Sequence, residues 1–290
     1  MPVTEFKIEV RLSSAPTIDD LLAEREEQRL MMLEDKPSGR AWLTGYFEDA
    51  SEAQAAWKEL AGFIKPEWLL SVPGWRELAD VDWKESYKTH FKAWQFGALH
   101  WVPVWEREIF QLPAGHAVLW LDPGMAFGTG NHETTRLVVE RLVQLAEQRG
   151  PGGRVIDAGC GSGILALSAA KLGYREIVAF DNDPVAVDVS KENAEMNTLA
   201  GRVNFFTGDL VTGLAERHAE LVLANIQADV LLLFKAELLG AVAPGGVLVL
   251  SGILAQELAQ VRECFASAAP GWLVDSRVMG EWSDLVLIRP

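Results

Sequence analysis

Val155-Ile156-Asp157-Ala158-Gly159-Cys160-Gly161-Ser162-Gly163-Ile164-Leu165-Ala166-Leu167 decides how the rest of this chain is read. A β-rich apolar start meets three glycines spaced two apart, and a helix-forming run follows at once. That order predicts a strand, a tight turn and a helix, the opening unit of an open α/β sheet. The glycines permit backbone angles that Cβ-bearing residues resist and let a flat ligand lie against the main chain. Asp181 closes the next apolar run, Ile177-Val178-Ala179-Phe180, where a carboxylate can accept hydrogen bonds from a ribose. The pattern predicts a nucleoside-type pocket and leaves the nucleoside open.

The chain has 290 residues, which suggests about two domains, and 49% of them are apolar, enough for a sizeable core. Its two cysteines, Cys160 and Cys264, lie far apart, and no metal-ligand spacing is present. Cys160 falls inside the glycine turn, where a small side chain is what the turn needs. The start, Met1-Pro2-Val3-Thr4-Glu5, does not read as a leader, and the most apolar run, Leu221 to Phe234, is interrupted by Asn225, Gln227 and Asp229. The expected setting is the reduced cytoplasm, away from membranes. A formal charge of −15 argues against tracking a nucleic-acid backbone and is compatible with a basic protein partner.

Residues 1–66 read as a small α+β module: a strand at 6–10, a helix from Ile18 to about Leu33, a strand at 41–47 and a helix from Ser51 towards Ile64. Nothing in it suggests chemistry, which leaves docking or support. Trp68, Trp75, Trp83, Phe91 and Trp94 crowd residues 67–95, read as an aromatic connector. Residues 96–290 form the main domain. Strands are expected at 99–102 and 117–121, and the run Asp122 to Asn131 reads as a glycine-hinged loop over the ligand, with Asn131 capping a helix that runs to about Glu147. Seven strands follow, near 154–158, 177–181, 202–206, 219–224, 247–250, 272–278 and 284–288, with helices near 184–198, 228–242 and 254–267. Only Gly280 to Ser283 separate the last two strands, too few residues for a crossover, so they should pair antiparallel.

A nicotinamide dinucleotide is the first rival as ligand, because Gly161-Ser162-Gly163-Ile164-Leu165-Ala166 fits the permissive form of its fingerprint. That alignment skips Gly159, which stands where the first tight-turn glycine belongs. The antiparallel final pair also suits a dinucleotide fold poorly. By contrast, Asp157-x-Gly159-x-Gly161-x-Gly163 with Asp181 resembles the class I S-adenosylmethionine-dependent methyltransferases. Adding Asp122-Pro123-Gly124-Met125-Ala126-Phe127-Gly128-Thr129-Gly130-x-His132-Glu133-Thr134-Thr135, Ala224-Asn225-Ile226 and Ser251-Gly252-Ile253-Leu254 makes roughly residues 80–290 similar to the bacterial methyltransferases of ribosomal protein L-eleven (L11).

The resemblance implies a seven-stranded Rossmann-like α/β sheet with the last strand antiparallel, beside a small amino-terminal α+β domain that docks substrate. It implies S-adenosylmethionine as cofactor, with Thr135, Gly159, Gly161, Asp181 and Asn225 as its contacts. It also implies methylation of lysine and amino-terminal amines on a basic ribosomal protein, with Asn225 orienting the acceptor nitrogen. Asp209 is expected near the adenine. His132 is expected at the entry of its helix, with proton acceptance the lesser alternative. The competing readings are a lysine methyltransferase of another protein, an NAD-dependent oxidoreductase, and a non-catalytic adaptor that keeps the fold.

Overall fold

A computed structural model describes residues 3–25, 29–35, 39–78, 93–121 and 132–290. The chain divides into two compact units, Met1–His90 and Phe91–Pro290. The first unit runs β1 (Val3–Val10), α1 (Ala15–Glu24), β2 (Leu30–Asp35), β3 (Arg40–Phe47), α2 (Ala50–Ala61) and β4 (Gly74–Leu78). Its antiparallel sheet has the order β2-β3-β1-β4. Alternation in β1 turns Phe6, Ile8 and Val10 into a core with Ile18 and Leu22 of α1 and Ala53, Ala56 and Leu60 of α2.

Two expectations change here. The first helix does not reach Leu33: it ends at Glu24, and Leu30–Asp35 is a strand. The apolar run Leu30-Met31-Met32-Leu33 satisfies either period over so short a span, and pairing with Gly45 to Trp42 of β3 supplies a ladder that local propensity cannot outweigh. The stretch read as a connector contains β4, which pairs antiparallel with β1 and brings Trp75 to 6.1 Å from Phe6, ring centre to ring centre. The helical character expected near Trp83 lies outside the described residues.

The second unit begins with a three-stranded sheet of β5 (Trp94–Phe96), β6 (Leu99–Pro103) and β7 (Ala117–Leu121). It continues with α3 (Glu133–Arg149), β8 (Arg154–Ala158), α4 (Ile164–Leu172), β9 (Glu176–Asp181), α5 (Pro184–Met196), β10 (Val203–Thr207), α6 (Leu210–Leu214) and β11 (Ala219–Asn225). It closes with α7 (Ala228–Leu233), α8 (Lys235–Gly240), β12 (Val242–Leu254), α9 (Leu258–Ala268), β13 (Leu273–Met279) and β14 (Trp282–Ile288). The seven-stranded sheet has the order β10-β9-β8-β11-β12-β14-β13. β14 runs antiparallel between β12 and β13, as the short connection requires. The helix expected over 228–242 is two helices broken at Phe234, and β12 starts before the Pro244-Gly245-Gly246 turn rather than after it. β8 and β11 are neighbours whose following connections leave in opposite directions, so a crevice opens at their carboxyl ends.

Two fully buried carboxylates in this unit have opposite circumstances. Asp284 of β14 is paired: Arg141 of α3 donates to both its oxygens at 2.9 and 3.0 Å. The Arg277 backbone N–H and Nε of β13 add bonds of 2.7 and 3.0 Å. Arg277 also donates to the Leu137 carbonyl at 2.8 Å, so the final hairpin is riveted to α3. Among the described residues no cation lies beside Asp157 of β8. Its Oδ2 accepts from the Ala166 N–H at 3.0 Å, while Oδ1 is buried with no hydrogen bond to the described residues. Burial, opposed by the Ala166 bond and reinforced by the charge of Asp181, pushes the Asp157 carboxyl up to about 7.

Asp284→Ala should cost about 3–5 kcal/mol in urea denaturation, because it strands two guanidiniums that are themselves mostly buried. For Asp157 the sign runs the other way from a salt-bridged acid. The folded carboxyl keeps its proton to about pH 7, whereas the unfolded one releases it near about pH 4, so the folded state binds more protons between those values. Its contribution to stability therefore falls as pH rises from about 4 to about 7, by up to roughly 1.4 kcal/mol per unit. The stability of the wild type minus that of Asp157→Asn should decline across this window; parallel denaturation curves at all pH values would exclude the shift.

Candidate active site

The turn after β8 is built from glycines in the left-handed region, with φ of 78° at Gly159, 52° at Gly161 and 79° at Gly163. A turn of this shape leaves the sheet ladder, so its N–H and C=O groups need partners elsewhere. The Phe180 carbonyl accepts from Gly159 N at 2.9 Å and from Cys160 N at 3.0 Å. Asp181 Oδ2 accepts from Gly161 N at 2.9 Å. From α5, Ser190 Oγ donates to the Gly161 carbonyl at 2.8 Å and Asn193 Nδ2 to the Ser162 carbonyl at 3.0 Å. Ser190 and Asn193 were not singled out in the sequence; their spacing of three on one helix face is the only signal they left.

Gly159 is irreplaceable for a second reason: a Cβ there would stand 2.5 Å from Cγ2 of Ile226. The loops after β8 and β11 therefore touch, which brings Gly159 beside the Asn225-Ile226 pair. Gly252, φ 82°, lies equally tightly against the Ile226 backbone, so the Ser251-Gly252 irregularity within β12, where its pairing with β11 ends, holds that pair from the other side.

Asn225, half-buried at the end of β11, donates from Nδ2 to Thr135 Oγ1 at 3.3 Å. Two predicted site residues 90 positions apart are thus joined. Thr135 itself is fully buried in the first turn of α3. The Asn225 side chain makes no other hydrogen bond to the described residues, so its amide oxygen is an available acceptor. Asp181 is half-buried, and Oδ1 accepts from Asp183 N at 3.1 Å. A carboxylate accepts about four hydrogen bonds, so roughly two remain for a ligand. The residue that caps α5 is Asp183, through Val185 N at 2.8 Å, and not Asp181.

The cap of α3 is His132, whose Nδ1 accepts from Thr134 N; the expected cap, Asn131, lies outside the described residues, as does the whole run from Asp122 expected to form a glycine-hinged loop. Nδ1 also contacts Thr134 Oγ1 at 2.8 Å, and the ring meets Trp282 edge-on at 5.1 Å. The imidazole is at the helix entry, and its Nδ1 is occupied there. Asp209 caps α6 in a reciprocal capping box with Thr212, whose backbone N–H bond holds the Asp209 carboxyl below its ordinary range. The Asp-x-x-Thr spacing was a legible signal for that role. Burial pushes the Cys160 thiol up, away from the thiolate, as suits a packing residue.

The arrangement fits a nucleoside cofactor. It offers a main-chain turn shaped by three glycines, a carboxylate one strand over with acceptor capacity left, and an anchored amide at the switch point between β8 and β11. Among the described residues no group of His, Cys, Asp and Glu could hold a metal ion.

Residues 8–290 match the family model described as Ribosomal protein L11 methyltransferase (PrmA). Ribosomal protein L11 methyltransferase of Symbiobacterium thermophilum is 35% identical over 282 residues, 94% of this chain and 89% of that protein. That of Pelotomaculum thermopropionicum is 41% identical over 211 residues, 72% of this chain, and the match spans 66% of its length, just under two thirds. Among solved structures, ribosomal protein L11 methylase of Lactobacillus delbrueckii subsp. bulgaricus superposes with a TM-score of 0.61 at 28% identity, covering 69% of this chain and 99% of that one. With the glycine turn, the switch-point amide and the antiparallel last strand already in place, the match over nearly the whole sequence means that this chain belongs to the ribosomal protein L11 methyltransferase family.

Proposed function

We propose that this chain transfers methyl groups from S-adenosylmethionine to lysine side-chain amines, and to an amino-terminal amine, of ribosomal protein L11. The observation that carries this reading is the Asn225–Thr135 pair beside Gly159, because it places an oriented amide where the sheet's two connection directions part. S-adenosylmethionine supplies a methyl already activated by its sulfonium, which leaves the protein the task of aligning an acceptor.

Gly159 and Gly161 give the cofactor a main-chain wall, and Asp181 accepts from its ribose hydroxyls while holding Gly161 N. Thr135, being fully buried, acts through Asn225: by taking its Nδ2 hydrogen it turns the amide oxygen into the free acceptor. That oxygen accepts from an N–H of the substrate amine and so aims the lone pair. A lysine has an ordinary pKa of about 10.4, so a neutral amine near pH 7.4 costs roughly 4 kcal/mol. Desolvation in the crevice lowers that pKa without a strong general base. His132 accepts no proton in this scheme, since its Nδ1 is taken by the helix cap.

The amino-terminal unit is the docking module of this proposal. One face of its sheet is packed by α1 and α2, and the other carries Met31, Leu33 and Tyr46, all close to half exposed. The substrate is a basic protein, in keeping with the chain's charge of −15, and the setting is the cytoplasm. Among the described residues no helix is long and apolar enough to cross a membrane.

Mass spectrometry of ribosomal protein L11 after incubation with the chain and S-adenosylmethionine should show added methyl masses; an unchanged mass would reject the substrate. Asp181→Ala should weaken S-adenosylhomocysteine binding by about 1.5–3 kcal/mol in titration calorimetry, as loss of a charge-assisted bond does. Asn225→Ala should lower kcat by roughly 10²-fold or more with a smaller change in cofactor affinity, and tighter binding of NAD than of S-adenosylhomocysteine by the wild type would favour the oxidoreductase reading instead.

A further inference from the structure

The amino edge of the seven-stranded sheet, opposite the glycine turn, carries a cavity of about 390 Å³. Its wall is made where the parallel strands begin: Arg154 and Val155 of β8, Glu176 and Ile177 of β9, Asn204 of β10 and the approach to β11. Four arginines line it, Arg154, Arg175, Arg202 and Arg217, together with His218. Two carboxylates, Glu176 and Glu216, are in the same wall. On a chain with net charge −15, this is a local excess of cations.

The four arginines differ in what already holds them. Arg217 donates at 3.1 Å to the carbonyls of Thr212 and Gly213, the last turn of α6, and lies 4.9 Å from the Phe206 ring. Arg154 stands 3.6 Å from Glu220, whose carboxylate also accepts from the Arg154 backbone N–H at 2.6 Å. Those two have structural employment, one neutralising a helix carboxyl end and one pairing with an acid. Arg175 and Arg202 do not. Neither side chain makes a hydrogen bond or ion pair with any described residue, although Glu176 and Glu216 share the wall with them. Two exposed arginines without a partner among the described residues, beside two anchored ones, line one concave site, and guanidiniums take up oxyanions in forked hydrogen bonds. The volume falls in the range of small-molecule sites and is far larger than one phosphate group needs.

We infer that this cavity is a second binding site, separate from the cofactor crevice, for a phosphate-bearing anion with at least two phosphoryl groups or phosphodiesters. Arg175 and Arg202 are its principal ligands, and Arg217, preorganised by the α6 carbonyls and Phe206, is the fixed member of the set. The inference stands independently of the methyl-transfer reading, because none of its residues lies at the carboxyl edge.

The test is titration calorimetry of the full chain with pyrophosphate at low salt, repeated with Arg175→Gln, Arg202→Gln and the double variant. Saturable binding is expected to weaken roughly tenfold for each guanidinium removed, since a hydrogen bond to a charged group is worth about that factor. It should also weaken with added salt. S-adenosylhomocysteine affinity, measured on the same preparations, should be unchanged in every variant, which separates loss of this site from misfolding or failure of the cofactor site. Adenosine diphosphate and a short single-stranded RNA without terminal phosphates form the other arms. Tighter binding of the diphosphate than of pyrophosphate assigns the site to a free nucleotide, and tighter binding of the RNA assigns it to a polymer backbone. No saturable pyrophosphate binding, or binding of equal strength in the double variant, overturns the inference.

Discussion

Everything at the carboxyl edge depends on how a turn that has left the sheet keeps its polar groups satisfied. Three left-handed glycines in five residues bend the main chain away from the ladder, and a buried amide without a partner would cost about 1–3 kcal/mol. Strand β9 solves most of this: the Phe180 carbonyl and the Asp181 carboxylate take three successive N–H donors among them. Helix α5 takes the carbonyl side through Ser190 and Asn193. Asp181, proposed above to accept from a ribose, is therefore a structural clamp first. On that proposal ligand affinity is tied to turn geometry, since both draw on one carboxylate.

A second dependence runs through α3. Thr135 can fix Asn225 only if the helix carrying it is held in place. The rivet is the Arg141–Asp284–Arg277 cluster, with Arg141 Nη1 adding a 2.6 Å pair to Asp275. At the hairpin's tip, Trp282 meets His132 at the helix cap, and Gly280 approaches Glu133. The antiparallel β13–β14 pair thus has a task beyond closing the sheet: it delivers a buried carboxylate to the flank of the helix that carries Thr135. A seventh strand entering by a parallel crossover would arrive from the other end and bring no such hairpin tip to that helix.

What could be read in advance follows the range of the interactions. The β8 turn, the seven strands of the main sheet and the antiparallel ending are written in contiguous runs, because strand period, turn glycines and connection length are local properties. Asn225 and Thr135 could be named from motifs, but their contact across 90 residues could not. The failures have the same origin in reverse. Residues 30–33 are apolar without a break, so only their partner strand decides that they extend. Gly74–Leu78 pairs with β1, a choice invisible without knowing where β1 lies. Asn131 is a good cap by type, yet His132 holds the cap position, since an imidazole acceptor can serve as well as an amide when an edge-on tryptophan supports it. The clamps Ser190 and Asn193 look like ordinary helix residues until the turn they hold is in view.

Net charge is the coarsest of these signals, and the two edges of the sheet show why. A five-residue strand such as β8 spans roughly 16 Å, about two screening lengths at physiological ionic strength. Charges at one end are therefore largely hidden from the other by solvent. A chain of −15 can hold a carboxylate-clamped turn at its carboxyl edge and an arginine-lined hollow at its amino edge, each governed by its own neighbours. The acidity that argues against nucleic acid for the molecule as a whole has little authority over a cavity two screening lengths from the glycine turn. Ligands at the two edges can influence each other mainly through the strands between them, and those strands lie deep in the core, with Val155, Ala158, Ala179 and Leu223 all fully buried and closely packed. Rigid strands transmit little unless they have a second packing to adopt, so the physical expectation for one sheet with two such edges is two sites that bind side by side and almost without coupling.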